Sequence, residues 1–272
     1  MNILICIELY DIIYIQGIYI KIKEETIKYL LDEEAHAFKG WDFSYLKGRW
    51  ENEKLPWNYN DFVCMYLNDN ANVLDMGTGG GELLLSFNHP YDKTSVTEGY
   101  EPNIKLCQKV LSPLGIKVYP VKQDDILINV PTESFDLVLN HHESFSESEV
   151  KRVLKKNRLF ITQQVGAFNN NDLASFFDEN HEVQFPKITL NQTVKRLEEE
   201  GFEILYKNEY FPKIKFFDLG AIAFFAKIIQ WEFINFSIKN TIDKFEILEN
   251  RLKKDGYIES TEHRFMIIAK KK

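Results

Sequence analysis

Apolar runs and helical periodicities alternate along most of this 272-residue chain. The segment 135–140 (FDLVLN) is one continuous apolar run, as expected for a strand that is buried on both faces. Segment 103–112 has instead the 3.6-residue period of a helix, through Ile104, Cys107 and Leu111. The full pattern predicts strands at 72–76, 94–98, 116–122, 135–140, 158–165, 202–206 and 264–270. It predicts helices at 58–68, 82–88, 103–112, 147–156 and 190–200.

Strands that alternate with helices in this way form a mostly parallel sheet. We therefore expect an α/β fold with helices on both faces of the sheet. Two short motifs predict where helices begin, since Ser146 with Glu149 and Thr189 with Gln192 both fit the capping box. Gly201 is suited to end the second of these helices.

Two segments do not follow the alternation. Segment 207–263 separates the last two predicted strands and is predicted to contain two helices, near 217–230 and 241–254. An insertion of this length is typical of a lid or a substrate pocket. The other segment, 24–60, is rich in aromatic residues, which can pack as a satellite cluster on the sheet or line a substrate pocket. Its aromatic residues include Phe38, Trp41, Phe43, Tyr45, Trp50 and Trp57.

These segments suggest a division of the chain. Residues 1–57 are predicted to form an N-terminal extension and aromatic cap, and residues 58–272 a ligand-binding domain. Within that domain, 207–263 is predicted to be a helical lid. The apolar residues 3–20 are interrupted by acids and lack the basic start of a signal peptide, so we expect no membrane partner.

Composition limits the classes of function. The net charge of −8 argues against broad attraction to nucleic acid, which depends on Lys and Arg neutralising phosphates. Three cysteines without a C-x-x-C pair indicate a reducing, cytoplasmic protein. The histidines are not at metal-ligand spacing, so we expect no metal site.

The strongest local signal is the sequence VLDMGTGGGE at residues 73–82. An apolar strand ends in the acid Asp75 and passes directly into a glycine-rich turn, and a helix follows. Glycines allow the sharp turn and a close approach of the backbone to a ligand. The spacing is G-x-G-x-G, and Glu82 occupies the position of the third glycine of a nicotinamide-dependent dehydrogenase. Asp75 directly precedes the loop, and a negative charge at this end of the strand suits a cationic ligand better than a pyrophosphate.

Further acids follow at the ends of the next predicted strands. Glu98 ends the second strand and Asp124 the third, and Asp136 opens the fourth. With this spacing, residues 71–165 resemble the class I S-adenosylmethionine-dependent methyltransferases, in the broad bacterial group with a D-x-G-x-G-x-G signature. The resemblance implies a Rossmann-like, seven-stranded sheet whose last strand is antiparallel. It also implies S-adenosyl-L-methionine as the cofactor and methyl transfer as the reaction.

The resemblance also implies roles for individual residues. Glu98 would accept hydrogen bonds from both ribose hydroxyls. Glu101 competes for that role, because G-Y-E-P at 99–102 is similar to a common family variant. Asn140 would line the cavity near the reactive methyl group. The methionine part of the cofactor would be held by Asp75, Gly77, Thr78, Gly79 and Gly81. The adenine would be held by Asp124, Asp125 and Ile126.

A general base is needed only if the acceptor is a hydroxyl or a protonated amine. His142 and Glu143 follow Asn140 into the predicted pocket and are the candidates for this catalytic role. Alternatively, they pack or form hydrogen bonds within the loop. The family often has a Pro-Gly-Gly turn before the fifth strand, whereas this chain has residues 155–158 (KKNR), in which Asn157 can adopt the left-handed conformation.

We expect a small-molecule methyl acceptor, because the chain is acidic and its flanking segments are aromatic. Methylation of ribosomal or transfer RNA is the alternative, supported by basic residues at 151–158, 253–254 and 270–272. A protein that binds the cofactor without catalysis is the remaining possibility. The sequence predicts neither the acceptor atom nor the oligomeric state.

Overall fold

The computed structural model of the protein describes residues 23–38, 42–121 and 127–272. The predicted extension at 1–20 and Trp41 lie outside the described residues. The described chain begins with helix α1 (Glu24–Glu34), a 3₁₀ turn (Ser44–Leu46) and the short strand β1 (Trp50–Asn52).

Alternating helices and strands follow, as the sequence predicts. The first group is α2 (Tyr59–Tyr66), β2 (Val73–Met76), α3 (Glu82–Ser86), β3 (Thr94–Glu98), α4 (Glu101–Val110), β4 (Lys117–Pro120) and β5 (Phe135–His141). The second group is α5 (Glu147–Val153), β6 (Leu154–Val165), α6 (Asn171–Phe177), α7 (Leu190–Glu199), β7 (Phe202–Tyr210) and β8 (Lys213–Phe216). The last group is α8 (Leu219–Ile228), α9 (Ile238–Asp255), β9 (Ile258–Thr261) and β10 (Arg264–Lys271).

Seven strands form the main sheet in the order β4-β3-β2-β5-β6-β10-β7. Strands β2 to β6 are parallel to one another. The last strand, β10, lies between β6 and β7 and is antiparallel to both. The prediction of a seven-stranded, mostly parallel sheet with an antiparallel last strand is therefore confirmed. Because β2, β3, β5 and β6 run in the same direction, their carboxyl ends meet at one edge of the sheet.

Alternate residues of the central strands are buried on opposite faces of the sheet. Leu74 and Val138 join one apolar cluster, which includes Leu197 of helix α7. Val73 and Leu137 join the cluster on the other face, with residues of helix α2. Burial on both faces explains why these strands are continuous apolar runs in the sequence. The prediction of helices on both faces is confirmed.

The structure corrects the prediction around helix α5. This helix ends at Val153, and β6 begins at Leu154 rather than at 158. Asp136 explains the difference, because its carboxylate binds Lys155 Nζ at 2.8 Å and Arg158 Nε at 3.1 Å. These ion pairs hold 155–158 beside β5, where the strand register shifts. Asn157 has φ +61°, so its predicted left-handed conformation is confirmed.

One predicted capping box is wrong. The Ser146 hydroxyl contacts Ser148 Oγ at 2.9 Å and caps no backbone N–H group. Glu149 does not reach back to the helix start, since it accepts hydrogen bonds from Arg152 Nε and from the backbone N–H of Ile128. At the other predicted start, Thr189 Oγ1 does accept a hydrogen bond from the backbone N–H of Gln192.

The predicted lid segment contains both expected helices, α8 and α9, but it is not purely helical. Strands β8 and β9 flank these helices and pair with each other, and β8 also pairs with β1, so that the three form a second, antiparallel sheet. Each of these strands has only four residues, which is too short for an alternating pattern to be distinct in the sequence. Pairing with β1 joins the aromatic N-terminal segment to the insertion. The division at residues 57 and 58 stays a prediction.

The aromatic N-terminal segment packs mainly on helix α8. Phe43 lies 5.6 Å from Trp50, and Trp50 lies 5.8 Å from Phe225 between ring centroids. A polar contact fixes the same interface, because Arg49 NH2 binds Glu33 Oε1 at 3.0 Å and Asp218 Oδ1 at 2.6 Å. The segment therefore forms a cluster with the insertion, whereas Trp57 packs with the main-sheet cluster that includes Val63.

Candidate functional site

The glycine loop lies at the carboxyl end of β2. Gly77, Gly79 and Gly81 have φ values of +67°, +62° and +87°, a region that favours glycine. The backbone N–H groups of Gly77 and Thr78 both donate to the carbonyl oxygen of Thr97, each at 3.1 Å. Strand β3 therefore fixes the loop directly, and Gly81 leads into helix α3.

The surroundings of the loop differ from glycine to glycine. A side chain at Gly77 would collide with Glu143, and one at Gly81 would collide with Leu111. A Cβ atom at Gly79 would meet nothing within 4 Å. The open space of the loop is therefore at Gly79, and this is where a ligand can approach the backbone.

Asp75 precedes this loop at the end of β2. Burial raises the pKa of Asp75 to about 7, and the negative charge of Glu98 adds to the rise. The Thr78 side chain opposes it. The carboxyl group is thus held where its ionised form is poorly stabilised by the protein. A cationic ligand beside it would favour ionisation.

Glu98, at the end of β3, is 4% exposed and also bound to the loop. Its Oε2 accepts from the backbone N–H of Gly79 at 2.8 Å, and its Oε1 accepts from those of Gly99 and Tyr100 at 2.8 and 2.9 Å. A carboxylate has about four acceptor positions, so one stays free for a ligand. Glu101 is instead on the surface of α4 and pairs with Lys105 at 3.2 Å.

Asn140 is fully buried at the end of β5. Its Oδ1 accepts hydrogen bonds from Thr162 Oγ1 at 3.0 Å and from Gln164 Nε2 at 2.5 Å. Its Nδ2 has no hydrogen-bond partner in the described part of the chain. The hydroxyl group of the buried Tyr59 is unpartnered in the same way. Burial raises the pKa of Tyr59 well above its ordinary value, the charge of Asp75 adds to the rise, and the backbone of Asn140 opposes it.

His141 and His142 stack on each other with ring centroids 4.0 Å apart. The Tyr59 ring lies 4.8 Å from His141. Burial lowers the pKa of His141 to about 4, and Arg264 contributes to the decrease. Desolvation of its ring lowers the pKa of His142 as well, and His141 and Arg264 add to the decrease.

Glu143 packs against the glycine loop at Gly77. Its side chain occupies the space above Gly77, and its Oε1 accepts from the backbone N–H and the hydroxyl of Ser144, both at 3.0 Å. Desolvation of its carboxyl group raises the pKa of Glu143, the Ser144 hydrogen bonds oppose the rise, and the charge of Glu98 adds to it. The structure therefore brings Glu143 to the cofactor loop, next to the predicted base His142.

The remaining predicted residues, Asp124, Asp125 and Ile126, lie outside the described residues. Within 23–38, 42–121 and 127–272, no group of three or more His, Cys, Asp or Glu side chains is arranged to hold a metal ion. Sequence reasoning missed Tyr59, Thr97 and Gln163. A signal existed only for Gln163, because two glutamines interrupt the apolar run of β6.

The residues around the loop can be compared with the groups that S-adenosylmethionine would need for binding. The open backbone at Gly79 offers a cradle, and the unpartnered Asn140 Nδ2 and Tyr59 hydroxyl offer polar contacts that the protein does not satisfy itself. Thr78 Oγ1 is also buried without a hydrogen bond of good geometry. Acidic side chains border the loop, which suits a sulfonium ligand. The residues present fit this group.

The basic residues that support RNA binding are largely neutralised. Arg152 binds Glu149 at 2.6 Å, and Lys151 lies 3.8 Å from Glu200. Lys155 and Arg158 share Asp136, as described above. Four of the five basic residues in 151–158 therefore have acidic partners, so most of the positive charge of this segment is compensated.

In the described ranges, each helix is too short or too polar to cross a bilayer.

Comparison with known proteins identifies similar structures but no similar sequences. No protein-family model matches this chain, and no curated protein has a significant sequence match.

Solved structures do match. A candidate methyltransferase from Bacillus halodurans C-125 aligns with a TM-score of 0.51 and 18% identity, over 79% of this chain and 98% of that one. The YcgJ protein from Bacillus subtilis aligns with a TM-score of 0.52 and 14% identity, over 79% and 98%. A functionally unknown protein from Deinococcus radiodurans R1 has a TM-score of 0.52 and 12% identity, over 82% and 92%. Likeness at these identities concerns the fold, and with the observed strand order it shows that this chain has the fold of the class I S-adenosylmethionine-dependent methyltransferases.

Proposed function

We propose that this protein is an enzyme that binds S-adenosylmethionine at the glycine loop and transfers its methyl group to a small molecule. The supporting observation is the cluster of three acidic side chains around the loop. Asp75, Glu82 and Glu98 all act on the buried thiol of Cys107, which donates to the carbonyl oxygen of Gly79 at 3.1 Å. Burial raises the pKa of that thiol to about 11, and the three carboxylates add to the rise.

In the described part of the chain, no Lys or Arg forms an ion pair with any of these three carboxylates. Three neighbouring acids without a cation repel one another, and a positively charged ligand relieves that repulsion. S-adenosylmethionine would supply a methyl group on a positively charged sulfur. A nicotinamide dinucleotide would bring a pyrophosphate into the same negative surroundings, so the loop disfavours it.

The contacts suggest which residues would bind each part of the cofactor. Asp75 and the loop residues Gly77, Thr78, Gly79 and Gly81 would hold the methionine part. Glu98 would accept from the ribose, through the acceptor position that its three backbone donors leave free. We place Glu98 and not Glu101 in this role, because Glu101 is exposed and paired with Lys105. Asn140 would direct its free Nδ2 into the cavity.

Positioning of the two reactants in a cavity without water can supply roughly 7–11 kcal/mol of the barrier, so methyl transfer requires little else from the protein. The aromatic and neutral side chains of Trp57, Tyr59 and His141 beside the loop suit a small organic acceptor better than a phosphate backbone. The paired cations at 151–158 also argue against RNA. A cytoplasmic location, proposed from the cysteine usage, agrees with this class of substrate.

Isothermal titration calorimetry tests the first half of the proposal. We expect saturable binding of S-adenosylmethionine and of its demethylated product, and none of NAD. Binding of NAD, or binding of neither nucleoside, would contradict the proposed site.

Transfer of a radiolabelled methyl group tests whether the acceptor is a small molecule. One set of reactions contains small amines, carboxylic acids and phenols, and the other contains bulk RNA. Labelled RNA would favour the alternative acceptor. A label that never leaves the cofactor in either panel would favour a binding protein without catalysis.

A further inference from the structure

Gln163 connects three aromatic side chains beside the proposed cofactor site. It lies on β6 directly opposite His141 of β5 and is 5% exposed. Its Oε1 accepts a hydrogen bond from Trp57 Nε1 at 2.7 Å. An indole N–H can only donate, so the oxygen of the Gln163 amide must face Trp57. The orientation of the amide is therefore fixed by its bonding and is not a free choice.

The amide nitrogen of Gln163 consequently faces the two histidines. It lies 3.0 Å from His141 Nε2 and 3.1 Å from His142 Nε2. An amide NH₂ group has two hydrogens and only donates, so each imidazole must accept at Nε2. A neutral imidazole that accepts at one nitrogen carries its proton on the other. Both rings therefore have their proton on Nδ1.

This arrangement keeps the pair neutral. Protonation at either Nε2 would bring two donors face to face across about 3 Å, and it would add a charge close to Arg264. The Tyr59 ring packs on His141, and Arg264 is the charged side chain that acts on both histidines. The lowered pKa of His141 agrees with this geometry.

We infer that His141 and His142 do not remove a proton but bind the methyl acceptor, by donating from Nδ1–H to a carbonyl or carboxylate oxygen of it. Both rings form their side-chain hydrogen bonds through Nε2, and no hydrogen bond to either Nδ1 occurs among the described residues. The Nε2 lone pairs are occupied by Gln163, and a base would need one of them free. This inference rests on the proposed function for the identity of the ligand as a methyl acceptor. Gln163 is a positioning residue, which acts by selecting the tautomer.

Nitrogen-15 NMR of the full-length protein with labelled histidine tests the tautomers without any cofactor. His141→Gln and His142→Gln variants assign the two signals. At neutral pH we expect both rings as the Nδ1–H form. In Gln163→Glu the new carboxylate accepts, so the rings should turn to Nε2–H or to the cation, with a higher pKa. Gln184→Met, at an exposed glutamine, is the matched control and should change neither signal. Wild-type rings that carry their proton on Nε2, or are cationic at neutral pH, would overturn the inference even if the variant does not fold.

A second measurement tests the ligand class with three probes of similar shape. Benzoate and benzamide present acceptor oxygens, with and without charge, whereas benzylamine presents only donors. We expect one or both of the first two to shift the Nδ1 signals, and Gln163→Glu to lose the shift. A response to benzylamine alone, or to none of the three at their solubility limits, would refute this recognition. Failure of S-adenosylmethionine to bind in calorimetry, with the tautomers as expected, would instead refute the proposed function alone.

Discussion

Replacement of Asp75 by Asn should raise the free energy of unfolding and at the same time weaken the binding of the cofactor. The pKa of Asp75 is raised from 3.8 to about 7 in the folded chain. One pKa unit corresponds to about 1.4 kcal/mol, so the ionised carboxylate costs the fold about 4 kcal/mol. Between the two pKa values the unfolded chain binds fewer protons than the folded chain. The free energy of unfolding therefore falls as the pH rises from about 4 to about 7, and the full cost applies above that.

Chemical denaturation at about pH 5 and about pH 8 measures this effect. The advantage of Asp75→Asn over wild type should grow between the two pH values, up to about 4 kcal/mol at the higher one. Asp136→Asn is the matched control at the opposite end of the sheet. Lys155 and Arg158 keep the pKa of Asp136 below its ordinary value against the effect of burial, so this variant should lose stability at neutral pH.

Calorimetry with S-adenosylmethionine completes the experiment. In wild type the affinity should increase as the pH rises through about 7, because the cation binds the ionised carboxylate better. In Asp75→Asn this pH dependence should disappear and the affinity should fall at least tenfold. A variant that is less stable than wild type at about pH 8, or that binds the cofactor with unchanged affinity, would refute the reasoning.

Three further predictions concern the glycine loop, the ribose role and the N-terminal segment. Gly79→Val and Gly115→Val should each lower the free energy of unfolding by roughly 1–2 kcal/mol, because both glycines have positive φ and open surroundings. Calorimetry should show a loss of cofactor binding only for Gly79→Val. Glu98→Gln should weaken cofactor binding more than Glu101→Gln, and the reverse order would move the ribose role to Glu101. Arg49→Met should lower the free energy of unfolding by about 3–5 kcal/mol in urea denaturation, because it leaves two acids without their partner. A loss well under this would mean that apolar packing alone holds the N-terminal segment on helix α8.

The main sheet could be predicted from sequence because each central strand carries its own signal. Burial on both faces requires an apolar run, as in β5 and β6, and helices between such runs require parallel strands. The second sheet could not be predicted in this way. Strand β1 has three residues, and its partner β8 lies more than 150 residues later, so neither is recognisable before the chain folds.

The site was partly predictable for a similar reason. Glycines and acids at strand ends indicate the loop, and Asp75, Glu98 and Glu143 do lie around it. The hydrogen bonds that set the acceptor capacity and the protonation of the site residues could not be predicted from the sequence. Whether Glu98 is free or held by backbone N–H groups, and which histidine nitrogen carries a proton, depend on contacts between distant elements. Sequence spacing alone suggested His142 as a base, whereas the contacts of Gln163 argue against that role.

Strand β10 lies inside the main sheet although it is the last described strand to be synthesised. Until residues 264–271 leave the ribosome, β6 and β7 each present an unpaired edge to the cell. More than fifty residues separate β7 from β10, which corresponds to seconds of translation at about 5–20 residues per second. Nascent chains of this protein should therefore pass through an aggregation-prone stage that ends only when the final strand is inserted, and chaperone dependence should be concentrated in that interval.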